Sequence, residues 1–157
     1  MAIEWVVLII VVLVALAWAY FTAQRLSTLH IRTDAALAQL EATLNRRAAV
    51  VGALAPQLQE VAAAAEATDL VQGNFEQRAE RERELSAAIN EAFPAGDFPE
   101  RPAMLADAEG RIHLAHRFYN EAVSDTRALR LRPLVRAFRL GGTAKLPEFF
   151  ELSQLDS

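Results

Sequence analysis

A chain of 157 residues without a cysteine holds neither a disulfide nor a thiolate metal site. Its formal net charge of −4 gives no electrostatic support to a general nucleic-acid role. Alanine is abundant and β-branched residues thin out after the N-terminal run, which favours helix.

That run, Trp5 to Gln24, holds 20 residues with no charge, Gly or Pro. At about 1.5 Å per helical residue it measures roughly 30 Å, the thickness of a bilayer's hydrocarbon core. Val6 to Val14 is only Val, Leu and Ile. The 11 Leu, Ile, Val and Phe residues of the run favour insertion by several kcal/mol in sum. Trp5 stands at one end and Trp18 and Tyr20 near the other, as interface anchors do. Two other readings exist. Ala15-Leu16-Ala17 imitates a signal-peptide cleavage pattern, but no Lys or Arg precedes the run, and its apolar part exceeds the ~7–15 residues of a signal core. A buried core helix of this length and apolarity is unusual. The expectation is one retained span at 5–24 after a short tail at 1–4. Only Met1, Ala2, Ile3 and Glu4 precede it, whereas Arg25, Arg32, Arg46 and Arg47 follow. Lys and Arg stay on the cytoplasmic side, so the N-terminus is expected outside and residues 25–157 in the cytoplasm. About 130 residues then remain for one modest core.

After the span, apolar residues recur at Leu26, Leu29, Leu37, Leu40, Leu44, Ala48, Val51, Leu54, Leu58, Val61 and Ala65. The helical spacing predicts one long helix leaving the membrane and running to about Thr68, kinked near Gly52–Pro56 by the proline. A turn follows over Thr68–Gly73. Asn74 reads as an N-cap with Gln77 as its capping-box partner. Phe75, Ala79, Leu85, Ala88, Ile89 and Ala92 mark the inner face of a second helix, and Glu80-Arg81-Glu82-Arg83-Glu84 reads as its solvated face. Three prolines and a glycine make Phe93–Pro102 a loop. The third helix spans Ala103 to Leu131 with the stripe Leu105, Ala108, Ile112, Ala115, Tyr119, Val123, Thr126 and Leu129, and Pro133 ends it. Leu134–Leu140 is a short fourth helix stopped by Gly141-Gly142. The bundle is thus expected over 25–143 and a tail over 144–157. Pro147 favours an extended tail, whose adjacent Phe149 and Phe150 point to opposite sides. One is expected to pack on the bundle near the fourth helix, the other to be exposed.

Few residues suggest chemistry. His113 and His116 are three apart on the third helix, but no third ligand at metal spacing accompanies them. Arg46-Arg47 reads as a solvated arginine pair, with a phosphate or an acidic partner as the functional alternative. Arg127, Arg130, Arg132, Arg136 and Arg139 suit a helix C-terminus, or anionic lipid if the bundle folds back on the membrane. Tyr119, on the inner stripe beside Asn120, reads as a buried tie between helices. There is no Gly-rich phosphate loop, nucleophile elbow or carboxylate pair.

The segment Glu109-Gly110-Arg111-Ile112-His113-Leu114-Ala115-His116-Arg117-Phe118-Tyr119-Asn120-Glu121-Ala122-Val123 resembles the E-N-R-I-x-x-A-R-x-x-Y-N-x-x-V segment of the LemA family, bacterial proteins with one N-terminal span and a helical domain. Leu44-Asn45-Arg46-Arg47, Phe93-Pro94, Leu140-Gly141 and Pro147-Glu148-Phe149-Phe150-Glu151 resemble further family segments. Gly110 replaces the family's Asn and His116 one Arg. The resemblance implies an antiparallel helical bundle on a membrane anchor, with no established enzymatic activity. No catalytic residue, cofactor or metal is expected. The resemblance marks Arg46, Arg47, Glu109, Arg111, Ile112, Ala115, Arg117, Tyr119, Asn120, Val123, Phe149 and Phe150 as motif positions, structural or for interaction. The expected fold is all-α: a transmembrane helix, then an antiparallel bundle of three longer helices and a short fourth. The leading function is a membrane-tethered scaffold or interaction module in envelope maintenance, with a protein partner or a homo-oligomer. The rival classes are a lipid-binding or membrane-shaping protein and a metal-dependent factor using His113 and His116.

Overall fold

Every element of the chain's computed structural model, which describes residues 1–94 and 101–152, is helix, turn or extended tail. Helix α1 (Ala2–Leu54) runs unbroken for 53 residues, about 80 Å at the usual rise. Its two halves have different surroundings. The most apolar 18-residue window has a mean hydropathy of 2.7, and none of it is buried within the fold. A core helix of that composition would be covered by its neighbours. Among the described residues this is the one helix long and apolar enough to cross a membrane. From Leu26 onwards the same helix becomes a wall of the bundle, burying Leu26, Leu40, Leu44, Ala48 and Val51.

The chain reverses after Leu54, where the sequence suggested a kink in a helix continuing to Thr68. Pro56 disfavours the α conformation at the residue before it, and Ala55 sits at φ −133°, ψ 86°. A 3-10 turn (Pro56–Leu58) follows, and then α2 (Gln59–Glu66). Helix α2 lies back along the end of α1, packing Ala62 and Ala65 with Ala48 and Val51. Leu54, expected on the inner stripe, is exposed at the corner.

Helix α3 (Phe75–Ala92) begins at Asn74. The capping box does not close: no side-chain cap bond forms, and Asn74 Nδ2 meets Gln77 Oε1 at 3.4 Å instead. The expected loop at Phe93–Pro102 lies mostly outside the described residues. Helix α4 (Ala103–Arg130) then runs antiparallel to α1, with Leu129 beside Leu26, Thr126 beside Thr33 and Arg111 beside Arg46. All eight residues of its sequence stripe are buried. Helix α5 (Pro133–Ala137) is shorter than expected and packs Val135 against Leu26 and Leu129. The all-α antiparallel bundle therefore stands, with the first soluble helix divided into a hairpin.

A central cluster joins Leu40, Leu44, Leu70, Ile112, Ala115, Tyr119, Val123 and Phe150. A distal cluster joins α1, α2, α3 and α4 through Val51, Ala65, Leu85, Ile89 and Leu105. The small third cluster ties α5 to α1.

Candidate functional site

Two polar assemblies and one open groove concentrate the motif residues. The first assembly is ionic. Helical spacing places Arg47 on the inner side of α1, one turn below Val51, and Arg78 and Glu82 four apart on α3. Arg47 Nη2 lies 2.5 Å from Glu82 Oε2, and Arg78 Nε lies 2.8 Å from Glu82 Oε1. Both arginines are fully buried and Glu82 is 3% exposed. Arg47 Nη1 also donates to Ser86 Oγ, at 3.2 Å. Two cations share one carboxylate, so the remaining charge needs acceptors. Arg78 finds them in Asn45 Oδ1 (2.8 Å) and the backbone carbonyl of Thr68 (2.5 Å), just past the C-terminus of α2. That end carries the negative pole of the helix dipole.

This assembly corrects two expectations. The Arg46-Arg47 pair is not jointly solvated: Arg46 is exposed and Arg47 is interior. Glu82 does not belong to a solvated charge run, although its neighbours do: Arg81 pairs with Glu84, and Arg83 with Glu76 and Glu80, on the surface. A signal was present in the sequence. Phe75, Arg78, Glu82, Leu85, Ser86 and Ile89 follow helical steps, so the gap between Ala79 and Leu85 in the apolar stripe is filled by Glu82.

The second assembly clasps the tail. Gln72 Nε2 donates to Tyr119 Oη (2.7 Å), which donates to the Glu148 carbonyl (2.5 Å), and the Glu148 N–H returns to Gln72 Oε1 (3.2 Å). Burial pushes the Tyr119 phenol up to about 12, with the hydrogen bond from Gln72 working against the rise. The next residue, Asn120, grips the backbone of Phe150 from both sides. Its Oδ1 accepts the Phe150 N–H and its Nδ2 donates to the Phe150 carbonyl, each at 3.3 Å. His116 Nε2 lies 2.5 Å from the same carbonyl and is its donor when protonated there. His116 therefore serves the tail, while His113 is exposed; among the described residues no three His, Asp or Glu side chains converge as a metal site would require.

The clasp seats Phe150 in the central cluster, edge-on to Phe75 at 5.4 Å. It does not seat it near α5, because the carbonyls available to Tyr119 and Asn120 lie at mid-bundle. Phe149 points outward, with the Arg127 guanidinium 5.6 Å from its ring centre.

The other motif positions fall into two groups. Ile112, Ala115 and Val123 are core, and Glu109 pairs with Arg101 at 2.5 Å where the chain enters α4. Arg46, Arg111 and Arg117 are exposed, and the hydrogen bond from Arg111 holds the carboxyl of its i,i+4 partner Asp107 below the usual range. Arg46 and Arg111 rim an open groove of about 630 Å³ between α1 and α4, floored by Ala42, Ala115 and Phe118 and bordered by Leu114. Leu114 and Phe118 are large, apolar and exposed. No family model, curated protein or solved structure matches the chain.

Proposed function

We propose that this protein is a LemA-like, membrane-anchored helical bundle that acts as a non-enzymatic interaction module. The N-terminus lies outside the bacterial cytoplasmic membrane and the bundle lies in the cytoplasm. The observation that carries the reading is the continuity of α1. An apolar segment with none of its most apolar window buried passes without a break into a wall of the bundle. The helix runs on from the apolar window through Trp18, which packs on Phe138, to Leu26, 2% exposed beside Leu129 and Val135. The interaction reading draws on a rigid bundle. Its α4 segment and its ending segment, distant in sequence, meet at the clasp of Tyr119 and Asn120 on Glu148 and Phe150.

The partner's place in this reading is the groove between α1 and α4. Its apolar floor and arginine rim suit an amphipathic helix with acidic flanks from another protein. The full chain is expected to resist alkaline carbonate extraction, and a reporter active only in the cytoplasm is expected to work when fused after Ser157. Extraction by carbonate, or activity of an exported-only reporter there, overturns the anchor or its orientation. Proximity labelling from the same fusion is expected to lose its main protein product in Leu114→Glu or Phe118→Glu. Labelling unchanged in both variants removes the groove from the reading.

A further inference from the structure

Helix α5 hangs beside the end of the apolar run. The Phe138 ring lies 6.4 Å from that of Trp18, edge to face. Trp18 precedes Gln24, the last uncharged residue of the run, by six positions, about 9 Å along the axis. When α1 spans a bilayer, Phe138 is therefore level with the aromatic belt, and α5 lies at the headgroups. Among the described residues Leu131, Leu134 and Phe138 are exposed there.

Charge points the same way. From Thr126 to Pro147 the chain carries Arg127, Arg130, Arg132, Arg136, Arg139 and Lys145 and no acidic residue, in a protein whose net charge is −4. The facing part of α1, Ala17 to Thr33, has no acid either. Arg127 and Arg130 are occupied by the tail carbonyls of Pro147 and Lys145. Arg25, Arg132, Arg136 and Arg139 have no carboxylate partner among the described residues. A notch of about 290 Å³ opens between α1 and α5, with Trp18 and Phe21 on its apolar side and Arg25 and Arg132 on its basic side.

Arg139 adds a conformational observation. Helix α5 ends in a Schellman turn, Leu140 N–H to Val135 carbonyl (3.1 Å) and Arg139 N–H to Arg136 carbonyl (3.2 Å). The residue at its left-handed position is Arg139, at φ 48°, where glycine carries no penalty. An arginine kept against that strain fits a side chain that is used.

We propose that α5 and the adjoining face of α1 form a docking surface for an anionic lipid leaflet. Leu134 and Phe138 enter the interface, Arg132, Arg136 and Arg139 meet the headgroups, and the notch between Arg25 and Arg132 receives a lipid phosphate. The proposal rests on α1 being a span, and its test separates the two. The full chain has no native cysteine, so single labels report cleanly. Leu134→Cys and Leu8→Cys carry an environment-sensitive dye in nanodiscs of phosphatidylcholine, alone or mixed with phosphatidylglycerol. Nitroxide lipids serve as quenchers, at the headgroup for the first label and in the acyl chain for the second. The Leu8 label is expected to be quenched in both lipids. The Leu134 label is expected to be quenched more strongly in the anionic mixture than in phosphatidylcholine alone, with the excess released by high salt. Arg132→Ala, Arg136→Ala and Arg139→Gly together are expected to weaken docking on the order of a hundredfold, from about 1 kcal/mol per cation. A Leu134 label that stays unquenched, or is quenched equally in both lipids and at high salt, overturns the proposal while the span stands. A Leu8 label that stays unquenched overturns both. Salt release needs no substitution, so misfolding of the triple variant does not shield the proposal.

Discussion

Replacing Glu82 by Gln removes the one carboxylate that stands between two fully buried guanidinium groups. The variant keeps the size of the side chain but removes its charge, and it turns one of the two oxygens that accept from Arg47 and Arg78 into a donor facing an N–H. Breaking a buried pair by removing one partner costs about 3–5 kcal/mol, because the other charge stays buried without compensation. Two arginines depend on Glu82, and only Arg78 has the C-terminal end of α2 as a second source of negative potential, so the expected cost lies at the upper end, about 4–5 kcal/mol. For a folded part of this size a kcal/mol shifts Tm by roughly 3–5 °C, so Glu82→Gln is expected to melt about 12–25 °C lower. The assay is a thermal melt of the full chain in micelles, followed by far-ultraviolet circular dichroism, in which the micelle-held part of α1 is a background common to the parent and every variant. Glu80→Gln and Glu84→Gln, which break surface pairs with Arg83 and Arg81, are the matched controls and are expected to stay within about 0.5 kcal/mol of the parent. A Glu82→Gln melt indistinguishable from these controls refutes the buried network.

Tyr119→Phe keeps the ring but strands Gln72 Nε2 and the Glu148 carbonyl, so urea unfolding is expected to show a loss of about 1–3 kcal/mol; an unchanged midpoint means water replaces the clasp. The raised Tyr119 pKa has a sign: both states hold a neutral phenol below its ordinary value of 10.0, and above it the unfolded chain ionises first. The stability due to Tyr119 is therefore lost as pH rises from 10.0 to about 12, and the Tyr119→Phe variant is expected to fall less steeply over that window in a pH series of melts. Phe150→Ala is expected to cost about 3–5 kcal/mol as a fully buried aromatic, and Phe149→Ala about 0.5–1 kcal/mol as an exposed cation–π partner; equal effects in melts would place both rings alike. Arg139→Gly is expected to stabilise the fold by about 1 kcal/mol by relieving a left-handed residue, and a lower melting temperature would show that the arginine side chain holds the turn together.

Helix α4 shows why much of this fold was legible. Its stripe, from Leu105 to Leu129, repeats at helical spacing, and apolar side chains at that spacing have one economical place to go. The uncharged run at 5–24 was legible for a related reason: its length matches a physical thickness and needs no tertiary partner to be recognised. The tail was half legible. Adjacent phenylalanines on an extended segment must face opposite ways, but which one turns inward depends on where Tyr119 and Asn120 meet a backbone. The ionic network was hidden because charged side chains at helical spacing read as surface until another helix covers them.

The sequence by itself therefore determined the helices, the long apolar run and the apolar stripes of α3 and α4, since periodicity and breakers are local properties of the chain. Tertiary structure decided three things. It turned the expected kink at Pro56 into a hairpin, because α2 buries its alanines only by returning along α1. It made Arg47, Arg78 and Glu82 interior, because α3 then covers α1 at their level. It set α5 beside Trp18, which brings the arginine cluster next to the end of the apolar run. Each of these depends on contacts between residues far apart in the chain, and those contacts are absent from any local pattern.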